Sequence, residues 1–154
     1  MPTIFALSLG GDLGNTEVFF GFAFRRLREA GAFGLRRSRS YRTLPVDCVP
    51  GTPDFLNCAV CGQWGGTATE LLAVTQNIER GAGRPEIHSS REARVLDCDI
   101  VLFGDEIIRT PALTVPHPRS QIRRFVLEPL AELLPDYRFP DSGRSVVELL
   151  KTMK

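Results

Sequence analysis

Hydrophobic and polar residues recur along the chain with two different periods, and each period predicts a different element. Residues 3–9 and 55–64 are rich in strand formers, whereas the apolar side chains of 16–30 recur at helical spacing. Thr67 and Glu70 form a capping-box pattern, which predicts the start of a second helix. The remaining strands are predicted at 35–43 and 95–103.

The order of these elements predicts the fold class. A β-α-β-β-α-β order indicates an α+β, ferredoxin-like fold: an antiparallel sheet with helices on one face, whose other face can remain open for a ligand. The pattern then predicts a short hairpin at 106–108, helix 121–134 interrupted near Pro129, and a C-terminal helix after Ser145. We expect residues 1–154 to form a single domain.

Composition narrows the classes of function. The 154 residues are 43% hydrophobic and 24% charged, with a formal net charge of +1. This balance gives no general attraction to nucleic acid or membrane, and the apolar runs are far shorter than a membrane span of ~20 residues. The N-terminal run is interpreted as a first strand and not as a signal peptide. We expect a cytoplasmic monomer that acts on small molecules.

The four cysteines allow two interpretations. Cys58 and Cys61 form a CxxC, which could be a metal knuckle or a redox pair. The favoured alternative is two small apolar residues on opposite faces of a strand, because no second ligand pair has suitable spacing. Cys98 is expected to face the core, and such cysteines fit a reducing cytoplasm.

Two aspartates interrupt the apolar run VLDCDIVLF at 95–103. In a strand, Asp97 and Asp99 share one face with Val101, at a Cα separation of roughly 6.6 Å. At an effective dielectric near 20, that spacing costs about 2.5 kcal/mol if both are ionised. A divalent cation would reverse this cost, and oxygen ligands favour Mg²⁺; the alternative is two solvent-exposed acids paired with arginines. The other parity is predicted to face the helices: Leu96, Cys98, Ile100 and Leu102.

Basic side chains concentrate just before this strand. The polar segment 82–94 contains Arg84, Arg91 and Arg94, and Arg80 precedes it. Guanidinium groups beside a Mg²⁺ site suit phosphoryl transfer, and a connection of this length suggests a lid. The alternative is a solvated loop. The chain has no GxxxxGK[ST] motif, so a nucleotide site would be built differently.

Short motifs occur in a fixed order along the chain. They are LGGDLG (9–14), YRTLP (41–45), PDFLN (53–57), QNIE (76–79), GR (83–84), RVLDCDI (94–100) and VPHPRSQIRRF (115–125). In order and spacing the chain resembles the 6-hydroxymethyl-7,8-dihydropterin pyrophosphokinases. The resemblance implies transfer of pyrophosphate from ATP to the hydroxymethyl group of the pterin, with release of AMP, in folate biosynthesis.

The resemblance also implies roles for individual residues. Asp97 and Asp99 would bind two Mg²⁺ ions, and the catalytic Arg84 and Arg94 would act on the phosphates. The pterin-binding set would be Thr43, Leu44, Val46, Phe55, Asn57 and Phe125. The ATP-binding set would be Gln76, Thr114, His117 and Arg123. From residue type alone, the two phenylalanines could equally be core residues, and His117 could brace a loop.

Some positions depart from the family pattern. Arg91 stands where the family often has tryptophan, Glu86 where a second loop arginine is common, and Pro118 where an aromatic residue often follows. These departures lie on the nucleotide side, so we expect weaker nucleotide binding but an active enzyme. The alternatives are a non-catalytic pterin- or nucleotide-binding module and another Mg²⁺-dependent nucleotide transferase with a DxD motif.

Overall fold

The computed structural model describes residues 1–11, 16–43, 55–83 and 96–153, and the structural statements below refer to these ranges. They contain seven strands, four α-helices and a 3-10 turn. In chain order these are β1 (Thr3–Gly11), α1 (Thr16–Glu29), β2 (Phe33–Arg37), β3 (Tyr41–Thr43), β4 (Phe55–Trp64), α2 (Ala68–Gly81), β5 (Asp97–Phe103), β6 (Ile108–Arg109), β7 (Thr114–Val115), the 3-10 turn (Ser120–Ile122), α3 (Arg124–Leu133) and α4 (Val146–Lys151).

Five strands form one antiparallel sheet in the order β2-β4-β1-β5, and β3 also pairs with β4. This sheet and the βαββαβ order confirm the predicted ferredoxin-like fold. The strand predicted at 35–43 is divided between β2 and β3. The Ser38 amide donates to the Ala59 carbonyl, and the Ser38 hydroxyl accepts from the Ala59 amide, each at 2.9 Å. The chain therefore stays attached to β4 across the interruption.

Helices α1 and α2 cover one face of the sheet. Helix α2 begins as predicted, because the Thr67 hydroxyl accepts from the Glu70 amide and the Glu70 carboxylate accepts from the Thr67 amide. Burying the apolar side of both helices against the sheet forms the larger core. The buried helix residues include Phe20, Ala23, Leu27, Leu71, Thr75 and Ile78.

Helices α3 and α4 pack against the opposite face and close part of it. Their buried side chains form a second core with Ala59 and Cys61 of β4, whereas Cys58 belongs to the first core. The two cysteines therefore lie on opposite faces, as predicted. The predicted capping box at Ser145 and Glu148 begins α4.

A β-bulge in β5 changes the face of the sheet to which the following side chain points. Leu7 pairs with Ile100, but Ala6 pairs with Leu102, so Val101 is an extra residue on β5. Leu96, Cys98 and Ile100 face the first core as predicted, whereas Leu102 belongs to the second. The prediction for Leu102 was wrong because the inserted residue reverses the alternation of the strand.

Two details differ in the C-terminal third. The predicted hairpin turn from the preceding strand into 106–108 was wrong, because β6 begins at Ile108 and pairs with β7, with Ile108 opposite Val115. The predicted interruption near Pro129 was also wrong, because the break falls at Arg123, before α3 begins. Pro129 lies buried inside α3, where packing outweighs the missing amide hydrogen bond. None of the described helices is long and apolar enough to cross a membrane.

Candidate active site

Three neighbouring strands bring polar residues together at one end of the sheet, where β1 ends and β4 and β5 begin. Gly10 pairs with Asn57 on one side and with Asp97 on the other. Paired residues of an antiparallel sheet project from the same face. Asn57 and Asp97 are therefore separated by one strand, at roughly 10 Å, or two strand spacings. They lie on the α3 face, beyond the part that the C-terminal helices cover.

Gly10 makes room for the side chain of Asn57. A Cβ at position 10 would lie 2.7 Å from the Asn57 side-chain oxygen. The Asn57 amide nitrogen donates to the Thr43 hydroxyl at 3.3 Å, and Asn57 is only 7% exposed. The amide is thus held in place between β3 and β1. The sequence placed Gly10 in a glycine-rich turn of the LGGDLG motif, whereas it lies in β1, because its role depends on a partner almost fifty residues away.

The predicted carboxylate pair lies beside this amide. Asp97 is half-buried and Asp99 is exposed, while Cys98 between them is 4% exposed in the first core. Asp99 pairs with Ser8, two residues before Gly10. The parity prediction for the two aspartates is confirmed, and their side chains share the face that carries Asn57.

A third carboxylate supports β5 from the helix layer. Glu79 of α2 accepts a hydrogen bond from the backbone amide of Cys98 at 2.9 Å. Because β5 is an edge strand, this amide points away from β1 and needs a partner outside the sheet. Glu79 therefore fixes the residue between the two aspartates. The motif that contains it also contains Gln76, which is exposed one turn earlier on α2.

His117 reaches the same site from the segment after β7. Its backbone amide donates to the carbonyl of the bulged Val101 at 2.9 Å. Burial of the half-buried imidazole lowers the pKa of His117; the charge of nearby Asp99 opposes that shift, and Arg123 and Arg119 add to it. The bulge thus places His117 beside Asp99, and burial favours the neutral imidazole.

The first turn of α3 brings an aromatic ring and a cation to the same face. Phe125 is 36% exposed, and the Arg123 guanidinium lies 5.5 Å from the centre of its ring. On the sheet, Phe55 is half-buried and pairs with Thr43. The predicted Thr114 lies on β7, half-buried and paired with Arg109.

Four predicted site residues lie outside the described ranges: Leu44, Val46, Arg84 and Arg94. In the sequence, these four residues are close to strands that carry other site residues. Leu44 directly follows Thr43, the last residue of β3, and the other three belong to the connections into β4 and β5.

The described ranges contain no cluster of three or more His, Cys, Asp or Glu side chains that could hold a metal ion. Cys58, Cys61 and Cys98 are free and buried. Burial raises the pKa of Cys58 to about 12 and that of Cys98 well above its usual value. Neutral buried thiols are poor metal ligands and poor nucleophiles. Asp97 and Asp99 are therefore the better candidates for a metal.

Comparison with known proteins gives a consistent picture. A family model described as 7,8-dihydro-6-hydroxymethylpterin-pyrophosphokinase matches residues 6–135. The 2-amino-4-hydroxy-6-hydroxymethyldihydropteridine pyrophosphokinase of Synechocystis is 33% identical over 94% of this chain and 73% of its own length. That of Bacillus subtilis is 38% identical over 86% of this chain and 79% of its own length.

Larger proteins contain similar regions. The chain spans 26% of an Arabidopsis thaliana folate synthesis bifunctional protein, at 38% identity. Among solved structures, wild-type Plasmodium falciparum HPPK-DHPS with pteroate matches 98% of this chain and 44% of its own, with a TM-score of 0.77 and 14% identity. At that identity the likeness supports the fold alone.

Proposed function

Because the chain belongs to the 7,8-dihydro-6-hydroxymethylpterin-pyrophosphokinase family, we propose that it transfers pyrophosphate from ATP to 6-hydroxymethyl-7,8-dihydropterin in folate biosynthesis. AMP and the pterin diphosphate are the products. The observation that carries the proposal is the row Asn57–Gly10–Asp97 across three strands. It sets a buried amide and a carboxylate pair on the same face, one strand apart, with a glycine between them that makes room for the amide side chain.

The amide side of this row suits the pterin. A flat heteroaromatic ring needs aromatic contacts and a few fixed polar groups. Asn57 is buried and already held by Thr43, so its amide is oriented before a ligand arrives. Phe55 on β4 and Phe125 on α3 supply ring faces from the sheet and from the helix. We assign Leu44 and Val46 to contacts with the edge of the pterin ring, because they closely follow Thr43 in the sequence.

The carboxylate side suits Mg²⁺. Asp97 and Asp99 share a face, and Asp99 is exposed. Two carboxylates supply few of the ligands that a divalent ion needs, so most would come from water and phosphate oxygens, as Mg²⁺ prefers. We propose that the pair holds two ions. Bound Mg²⁺ would neutralise charge on the ATP phosphates and lower the barrier to attack.

The transfer itself needs positioning more than covalent chemistry. The hydroxymethyl oxygen forms a bond to the β-phosphorus of ATP, while the bond from that phosphorus to the α–β bridging oxygen breaks. AMP leaves, and the hydroxyl proton passes to solvent. We assign Arg84 and Arg94 to the transferred phosphates. Nucleotide contacts are assigned to Gln76, Thr114, His117 and Arg123.

We further propose a monomer with a single domain that works in the cytoplasm. Cys58, Cys61 and Cys98 are free and buried, which suits a reducing compartment. In the described ranges, the five-stranded sheet lies between two helical layers that cover its faces. Sedimentation of the purified protein would test the monomer.

AMP release tests the function. We expect AMP only when ATP, Mg²⁺ and the pterin are all present, and none after chelation of Mg²⁺. If the pterin binds but saturating substrates yield no AMP, the chain is a binding module and the proposed activity is wrong.

A further inference from the structure

One carboxylate joins two elements that border the site. Glu132 of α3 accepts from the Tyr41 hydroxyl at 2.9 Å and from the Arg39 backbone amide at 3.1 Å. Its carboxylate also lies 3.7 Å from the Arg39 side-chain nitrogen. The Arg39 guanidinium in turn lies 4.9 Å from the centre of the Tyr41 ring. Glu132 therefore holds both the backbone and the ring of the segment that begins β3.

This contact links the two walls of the proposed pterin site. Tyr41 pairs with Asn57 and stands two residues before Thr43, which accepts from the Asn57 amide. On α3, Glu132 is seven residues after Phe125, so both lie on one side of the helix, roughly 10 Å apart along its axis. Glu132 thus connects α3 to the segment that begins β3, about two helical turns from the Phe125 ring.

The Tyr41 hydroxyl keeps its proton and therefore remains a hydrogen-bond donor to Glu132. Burial and the hydrogen bond to Glu132 raise the pKa of Tyr41, so its phenol stays protonated. The Glu132 side chain is 37% exposed, and that of Arg39 is 76% exposed. Exposed ion pairs contribute little to stability. We therefore expect the Glu132 contact to matter for the position of β3 relative to α3 more than for the free energy of unfolding.

We propose that Glu132 is a positioning residue that sets the separation of β3 and α3, and thereby the width of the pterin site between Asn57 and Phe125. This inference rests on the proposed function. Glu132 does not touch the reacting atoms; it acts through Tyr41 and through the helix that carries Phe125. Its loss should weaken pterin binding more than nucleotide binding, because Asp97, Asp99 and the nucleotide residues other than Arg123, which caps α3, belong to other elements.

Glu128 provides a matched control. It is on the same side of α3, one turn before Glu132, and its carboxylate pairs at 3.3 Å with Arg124 of the same helix. Glu128→Ala removes the same charge without breaking the link to β3. Glu132→Gln keeps an oxygen acceptor for Tyr41 and is expected to restore most of the pterin affinity.

The test measures pterin binding by the ligand's own fluorescence, with Mg²⁺ and a non-hydrolysable ATP analogue present, alongside the steady-state KM values. For Glu132→Ala we expect the pterin Kd and KM to rise about tenfold, which is below the ~10²-fold that a 1 Å misplacement can cost. The KM for ATP should change less than twofold, and Glu128→Ala should match the wild type.

Two results would overturn the positioning role: equal pterin Kd values for Glu132→Ala and Glu128→Ala, or an equal loss of ATP and pterin affinity. If Glu132→Ala does not fold, Tyr41→Phe decides by the same comparison, because it removes one bond and keeps the ring. A wild type that binds no pterin and forms no AMP would instead contradict the proposed function. The two failures are therefore distinguishable.

Discussion

Asp97 and Asp99 carry the chemistry of the account at the scale of single residues. We predict that Asp97→Asn and Asp99→Asn each lower kcat by about 10³-fold or more, since electrostatic stabilisation of transferred phosphate is lost while side-chain shape is kept. Asp105→Asn, in the exposed turn after β5, is the matched control and should leave kcat unchanged. Turnover near the wild-type rate in either site variant would refute the metal assignment.

Gly10 permits a second test, on the pterin side. An added Cβ would lie 2.7 Å from the Asn57 side-chain oxygen, so Gly10→Ala must displace the amide from Thr43. We expect the pterin Kd to rise at least tenfold and the Kd for the ATP analogue to stay within twofold. Gly65→Ala is the control, because nothing lies within 4 Å of a Cβ there. Unaltered pterin binding in Gly10→Ala would show that the Asn57 amide is not the recognition group.

His117 should make stability depend on pH in a defined direction. Burial lowers the pKa of its imidazole in the folded protein, so the unfolded chain binds the proton more readily. The stabilisation is complete above the ordinary value of about 6.5 and is lost as pH falls through the folded pKa. In urea titrations without Mg²⁺, the wild type should lose more unfolding free energy than His117→Gln between about pH 7.5 and about pH 5.5. Parallel losses in both proteins would contradict this.

Residue chemistry was predictable where it followed the local pattern. Alternation in the strand placed Asp97 and Asp99 on one face, and the structure confirms it. Gly10 and Glu79 gave no such signal, because the role of Gly10 depends on cross-strand register and that of Glu79 on an edge amide. The roles of Asn57 and Phe125 came from the family resemblance, since an apolar core would explain an aromatic ring equally well.

At the scale of elements, the local signals were the reliable ones. The capping boxes at Thr67 and Ser145 begin α2 and α4 as predicted. The bulge at Val101 and the helical Pro129 were missed, because both depend on packing between elements distant in sequence. The bulge also has a function in the site: it frees the carbonyl that anchors His117 beside the aspartates.

The cap of α2 offers a prediction that concerns folding alone. Thr67→Ala removes the hydroxyl that accepts from the Glu70 amide and should lower the free energy of unfolding by about 1 kcal/mol. Thr69→Ala, two residues later and exposed on the helix, should be neutral or slightly stabilising. Chemical denaturation measures both, and kcat should be unaffected. Equal stability of the two variants would refute the role of the cap.

At the scale of the whole molecule, the sheet separates two cores and leaves one edge polar. Helices α1 and α2 cover one face, and α3 and α4 cover part of the other. The element order predicted this topology, but it could not show how far the C-terminal helices extend over the second face. Because α3 and α4 cover only part of this face, the site lies at the end of the sheet where the ends of β1, β4 and β5 meet.

The identity of both products of a single turnover tests the central claim most directly. Pyrophosphoryl transfer predicts equal amounts of AMP and of a pterin that has gained two phosphates, with no pterin monophosphate at any time. Mass spectrometry of a quenched reaction with ATP, Mg²⁺ and 6-hydroxymethyl-7,8-dihydropterin measures both. ADP with a pterin monophosphate, or ATP left intact beside a bound pterin, would contradict the account.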